Sequence, residues 1–336
     1  RLWESPVLRS VLPVVDAAEH VAVDEAAIGQ VAAWMAYEEF APIGAPSTAP
    51  VDRDLRGLPL DTDPTLVTNL TMLVNTLNFA FSDFSTGEKF ATHVDGIHLV
   101  DSEAMVGCLR RAVLAGRPLL DGAWMARVER DELATIFDGT IEMPLLDERA
   151  RLLNEVGAVL VERYGGSWRT WADSCAPSLY RGGDGLLERL AAEFPRFDDA
   201  SSWKGRRVAF MKLGQLGLWS LHLQLARAGI RLLDDAHLAT AFADYIVPVA
   251  LRVTKIMRLS DALARAVDTG REIPRDSAEE VELRALSIYA VARLTDEINA
   301  LRPADAQLIA PQVDYRLWKA YHASHHPHHL TRTVMY

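Results

Sequence analysis

FPRFDDASSWKGRRVAFMKLGQLGLWSLHLQLARAGI, residues 194–230, is the stretch whose reading decides the fold. Its second half, roughly Arg206 to Ala228, reads as one helix of about six turns at 3.6 residues per turn. Val208, Met211, Leu213, Leu218, Trp219, Leu221 and Leu225 put apolar side chains on nearly every face. A helix that is hydrophobic all round is a buried one. Lys212, Gln215, His222 and Gln224 interrupt the run and exclude a membrane span. Gly214 and Gly217 each cost about 1 kcal/mol relative to Ala in a helix interior, so another backbone or a ligand is expected to come close there. A buried lysine must be paired, neutral or directed at a pocket. Lys212 and Gln215 are therefore expected to face a cavity, with the acidic turn Asp198-Asp199 just upstream.

Outward from this helix, 3.6-residue periodicity continues almost throughout. Residues 24–39 predict an amphipathic helix, and the proline-rich APIGAPSTAP that follows predicts a loop. Asp63-Pro64 opens a helix that exits through aromatic-rich NTLNFAFSDF. KFATHVDGIHLV predicts a hairpin around Asp95-Gly96, residues suited to a type I′ turn, and it is the one credible β element. Asp101 or Ser102 is expected to cap a helix to about Ala115. Short helices follow near 122–137, a long one opens at Pro144 and stops at Gly165-Gly166, and 186–193 is helical. Beyond the central stretch, LATAFADYIVPVALRVTKIM predicts two helices broken around Tyr245–Pro248. Overlapping capping boxes at Asp276-x-x-Glu279 and Ser277-x-x-Glu280 start a helix to about Leu301, and Pro303 opens the last one, to Ala323. No βαβ alternation appears. The expected class is all-α, a single large helical domain over 1–336 with one minor β-hairpin. Within it a helical part covers about 1–193 and a site-bearing part about 194–336.

Composition narrows the partners. With 49% hydrophobic residues over 336 positions the chain can bury a large core. A net charge of −11 argues against a nucleic-acid polymer, which selects a basic stripe. Two cysteines, Cys108 and Cys175, are too few for a disulfide framework and read as small buried hydrophobes in a reducing cytoplasm. No glycine-rich phosphate loop, HExxH or GxSxG is present. The tail YHASHHPHHLTRT holds five histidines split by a proline, which reads as a surface or pocket-rim segment rather than a metal site. Taken singly, Asp244 in FADYIVP is as readable as a helix cap, Asp314 as a solvated helix residue, and Phe197-Asp198-Asp199 as a cap before the central helix.

Together, NTLNFAFSDF, MPLLDERARLLNEVGAVLVERYGGSW, FPRFDD…WKGRRVAFMKLGQL, FADYIVP and VDYRLW…H…TRT…Y run in register from about residue 75 to Tyr336. This set resembles the queuosine salvage family of queuosine 5′-phosphate N-glycosidases. The resemblance implies an all-α fold related to helical DNA glycosylases. It also implies hydrolysis of the N-glycosidic bond of queuosine 5′-phosphate, releasing queuine and ribose 5-phosphate. It assigns catalysis to Asp199, and substrate binding to Phe242, Asp244, Tyr245, Asp314, Lys212 and Gln215. No metal or organic cofactor is implied. The expected partner is the free nucleotide, with no nucleic-acid polymer and no membrane, and the expected state is a cytoplasmic monomer. The competing classes are a non-catalytic nucleotide-binding helical module and a DNA-glycosylase-like enzyme acting on another modified base.

Overall fold

Helices dominate because the apolar spacing asks for them, but the β content is larger than one hairpin. The computed structural model describes residues 1–43, 45, 63–322 and 324–336. These residues are helical apart from three two-stranded antiparallel sheets and connecting segments. The loop expected over 41–50 lies largely outside them.

The chain opens with α1 (Pro6–Val15), β1 (Val21–Val23), α2 (Glu25–Met35) and α3 (Pro64–Thr76). Asp24 caps α2 by accepting from the Ala27 N–H, and Asp63 caps α3 by accepting from Thr65 and Leu66. The hairpin β2 (Ala91–Val94) and β3 (Ile97–Val100) turns at Asp95 and Gly96, both at positive φ, 51° and 80°. There follow α4 (Asp101–Leu114), α5 (Gly122–Met125), α6 (Arg130–Ala134), α7 (Leu146–Tyr164), α8 (Trp168–Asp173) and α9 (Leu186–Glu193). Asp101 does not cap α4 with its side chain; its carboxylate pairs with Lys89 at 2.7 Å.

The long helix expected from Arg206 begins six residues later. Ala200–Trp203 and Arg206–Ala209 form a second hairpin, β4 and β5, whose turn residues Lys204 and Gly205 sit at φ 48° and 76°. Burial alternates along it, Ser201 and Trp203 inside and Ser202 outside, which is a period-2 pattern overlaid on apolar residues that also fit a helix. The helix proper, α10, is Lys212–Arg227. Its glycines admit neighbouring side chains rather than a ligand. A Cβ on Gly217 would meet the Asn75 side chain of α3 at 3.1 Å, and one on Gly214 would meet Leu187 at 2.8 Å.

After α10 the two helices expected around Tyr245–Pro248 reduce to one, α11 (Val247–Val253), because 239–246 is neither helix nor strand. Then come β6 (Met257–Leu259), which pairs with β1, α12 (Asp261–Asp268), α13 (Ala278–Leu301) and α14 (Ala310–Tyr321). Ser277 caps α13 by accepting from the Glu280 N–H. The last helix starts at Ala310 rather than Pro303, which precedes only a 3₁₀ turn. No helix among the described residues is long and apolar enough to cross a membrane.

Two large hydrophobic clusters and two small ones result among the described residues. Of the large pair, one gathers α1, α2, the second hairpin and α11 to α14; the other gathers α3 to α9 and part of α10. Met211, immediately before α10, packs against both. The N-terminus of α10 therefore lies where the two cores meet.

Candidate functional site

Phe194 and Phe197 are fully buried and lie against Trp168, with ring centroids 4.6 and 6.0 Å away. Aromatic contacts of this kind are worth about 0.5–1.5 kcal/mol each beyond their buried area, and here they anchor the turn that carries Asp199. Asp199 is 2% exposed, and both its oxygens are occupied. Arg284 of α13 donates Nη1 to Oδ1 at 2.9 Å and Nη2 to Oδ2 at 2.6 Å. The Lys212 backbone N–H donates to Oδ2 at 3.0 Å, so Asp199 also caps α10 from 13 residues upstream. Its own carbonyl accepts from Phe210 and Met211 at 2.9 and 3.0 Å. The residue expected to carry catalysis is thus a fully engaged carboxylate holding the start of α10.

Lys212 is the first residue of α10 and is buried, at 6% exposure. Its ammonium makes no ion pair within 4.0 Å among the described residues. Burial pushes its pKa below the ordinary lysine value, against the pull of Asp244, Asp314 and Asp199. One turn on, Gln215 is fully enclosed. Its Nε2 donates to the Phe210 carbonyl and the Thr240 hydroxyl, both at 3.0 Å, and its Oε1 accepts from the Thr240 N–H at 2.9 Å. It fastens α10 to the irregular segment 239–246 and has no free polar edge to offer a cavity.

That segment carries FADY. Asp244 Oδ1 accepts from the Ile246 and Val247 N–H groups at 2.8 and 2.9 Å, which caps α11; its Oδ2 accepts from no described residue. Asp314, in α14, accepts from the Phe242 N–H at 3.0 Å through Oδ2, so it props the backbone two residues before Asp244. It is buried rather than solvated, at 3% exposure. Burial raises the pKa of both carboxyls. For Asp244 the Lys212 charge and the Val247 and Ile246 N–H groups work against the rise. For Asp314 the Asp244 charge adds to burial and carries the pKa well above the ordinary carboxylate range. Both carboxyls of this buried site are thus shifted toward the neutral acid, Asp314 further than Asp244, whose rise Lys212 and its backbone hydrogen bonds restrain. The Phe242 ring is buried outside the hydrophobic clusters. Tyr245 packs on the His328 ring with centroids 4.6 Å apart.

Lys212, Asp244 and Asp314 are therefore brought together from three elements, with Phe242 and Tyr245 beside them, while Asp199 and Gln215 support them from behind. The histidine tail divides, with His325 and His326 exposed and His328 and His329 packed inward. Sequence reasoning missed Arg284, whose signal was a lone arginine at the i+4 position from Glu280 on a buried helix face. It also missed Asp101, whose charge reaches Tyr245 and His328. Two open depressions, of about 440 Å³ beside His222 and Arg231 and about 540 Å³ beside Thr135 and Glu142, contain none of these residues. The convergence of unpaired charge, rather than cavity size, marks the site.

Residues 59–336 match the profile of the family described as queuosine salvage protein. The chain is 34% identical over 334 residues to the queuosine 5′-phosphate N-glycosylase/hydrolase of Sphaerobacter thermophilus, covering 98% of this chain and 97% of that one. Proteins of the same name from Mus musculus and Schizosaccharomyces pombe are 29% and 30% identical. Those matches cover 79% and 73% of this chain and 80% and 72% of theirs.

Proposed function

The chain belongs to the queuosine salvage protein family, and from that premise we propose that it hydrolyses the N-glycosidic bond of queuosine 5′-phosphate through Lys212, Asp244 and Asp314. The products are queuine and ribose 5-phosphate. The observation that carries the residue assignment is a buried lysine, with no ion pair among the described residues, beside two buried carboxyls, of which Asp314 is shifted further toward the neutral acid than Asp244.

Breaking the bond between ribose C1′ and the base nitrogen sends the bonding pair to the base and builds positive charge on the ribose. Asp244, through its unoccupied Oδ2, stabilises that charge and takes a proton from the attacking water. Asp314, held as the neutral acid, supplies a proton to the departing base. Queuine is a 7-deazaguanine and has no N7 to protonate, so a donor at another polar edge is needed. Phe242 and Tyr245 flank the ring, where stacking is worth about 1–3 kcal/mol per base. Lys212 meets the 5′-phosphate, which supplies the counter-charge that the protein withholds. Catalysis moves from Asp199 to Asp244 in this assignment, because both Asp199 oxygens are already held by Arg284 and the Lys212 N–H, whereas Asp244 Oδ2 accepts from no described residue.

Action on the free nucleotide in the cytoplasm suits the net charge of −11. Incubation with queuosine 5′-phosphate should release queuine and ribose 5-phosphate, read by mass spectrometry. Guanosine 5′-monophosphate, which lacks the base substituents, should react far more slowly. Absence of queuine from a folded preparation overturns the reading.

A further inference from the structure

Arg284 sits at 1% exposure between two aromatic faces, 4.0 Å from the Phe210 ring centroid and 4.3 Å from that of Tyr336. Three edges of its guanidinium are in use. Nη1 and Nη2 grip Asp199, which caps α10 at Lys212. Nε donates at 3.2 Å to the carbonyl of Ala243, the residue before Asp244. Glu280, one turn earlier in α13, brings Oε1 to 3.7 Å from Nη1. One planar group thus bridges the backbone that presents Lys212 and the backbone that presents Asp244, across the junction of the two cores.

Two carboxylates compete for that guanidinium, and the distances show which one holds it: 2.6 and 2.9 Å for Asp199 against 3.7 Å for Glu280. Glu280 is restrained elsewhere. The Tyr336 hydroxyl donates to its Oε1 at 2.9 Å, and the Asp276 N–H donates to its Oε2 at 3.2 Å. The Tyr336 hydroxyl is in turn 3.3 Å from His329 Nε2.

We infer that Arg284 and Tyr336 are positioning residues for the glycosidic cleavage: Arg284 fixes the spacing between Lys212 and Asp244, and the Tyr336 hydroxyl keeps Glu280 from drawing Arg284 off Asp199. This rests on the reading of Lys212 and Asp244 as phosphate-binding and reacting groups. A substrate held by its phosphate at Lys212 has its C1′ delivered to Asp244 at a distance that only this bridge sets. A misplacement of about 1 Å costs on the order of 10²-fold in rate.

Tyr336→Phe removes one oxygen, leaves the ring on Arg284 and should not unfold the protein. It frees Glu280 to compete, so kcat on queuosine 5′-phosphate should fall at least tenfold while KM stays within about threefold, since the groups that touch substrate are all present. Adding Glu280→Gln removes the competing charge and should recover most of the lost kcat, a rescue that a packing role for Tyr336 does not provide. The pH profile of kcat/KM should also shift in Tyr336→Phe and return in the double variant, because Asp244 and Lys212 are coupled to Asp314, Asp199, Arg284 and His328. A folded Tyr336→Phe with kcat within twofold of wild type overturns the proposal, and so does a double variant no faster than the single one. If wild type itself releases no queuine, the reading of the site fails first and takes this one with it.

Discussion

Arg284 and Lys212 are two buried cations that share one carboxylate neighbourhood, and the fold treats them in opposite ways. Burial works against the charge of both. For Arg284, Asp199 and then Glu280 more than offset it and hold the pKa above the ordinary value. Among the described residues Lys212 makes no ion pair; Asp199 caps its backbone N–H, and burial pushes its pKa down. Removing an ion from water costs several kcal/mol even after relaxation. At Arg284 that cost is offset within the folded chain. At Lys212 it is left standing until something else supplies the partner. Paired burial builds the scaffold, and unpaired burial marks the place where a charged ligand is expected.

The largest effect should come from the unpaired group. Asp244→Asn keeps an oxygen to accept from the Ile246 and Val247 N–H groups, so the α11 cap survives. It removes the anion, and kcat on queuosine 5′-phosphate should drop by ~10²–10⁴ with the melting temperature nearly unchanged. A folded variant that retains more than a tenth of wild-type turnover would return catalysis to another carboxylate.

The paired group should show its loss in stability instead. Asp199→Ala leaves Arg284 buried without its bidentate partner and α10 without its cap. The expected loss is about 3–5 kcal/mol in urea unfolding, the usual result of breaking a buried pair by removing one member. Lys212→Met, made for contrast, should be neutral or stabilising while abolishing the preference for the phosphorylated substrate. If the two variants lost similar stability, the distinction between the two cations would be wrong.

Much of this was legible beforehand, and the failures share a cause. The helix at 186–193 and the turn at Asp95-Gly96 rest on contacts within a few residues, where periodicity and turn chemistry act. The start of α10 was misread because the Lys204-Gly205 turn is a weak signal inside a run whose apolar residues satisfy both periods. The 239–246 segment is not helical because what holds it lies far off in sequence. Gln215 holds Thr240 from 25 residues away, and Asp314 holds Phe242 from 72. Lys212, Asp244 and Asp314 were legible as substrate-binding candidates because chemistry-bearing residue types sat in apolar or aromatic surroundings. Their division of labour with Asp199 was not, since it depends on Arg284, 85 residues from its partner.

The smallest expected effect measures how far the Arg284 charge reaches. His329 is 3% exposed, its Nδ1 has no hydrogen-bond partner among the described residues, and its Nε2 lies 3.3 Å from the Tyr336 hydroxyl. Burial, then the His328 and Arg284 charges, push its pKa down to about 3, so it is neutral in the folded protein at pH 7. In the unfolded chain a histidine titrates near 6.5. Between those values the unfolded state binds a proton that the folded state refuses, so stability is lost as pH falls below about 6.5. Asp314 works in the opposite sense: its raised pKa means that the folded state keeps a proton the unfolded chain gives up, and stability is lost as pH rises above about 4. The two slopes partly cancel in wild type, and comparison with His329→Gln isolates the first. Whatever the glutamine costs at pH 7, acidification to pH 5 should destabilise wild type by about 2 kcal/mol more than the variant, at about 1.4 kcal/mol per pH unit below 6.5. Urea unfolding of both proteins at the two pH values gives the difference directly. Parallel pH dependence in the two would show that His329 takes up its proton in the folded state, and that the Arg284 charge is spent within its own pairs.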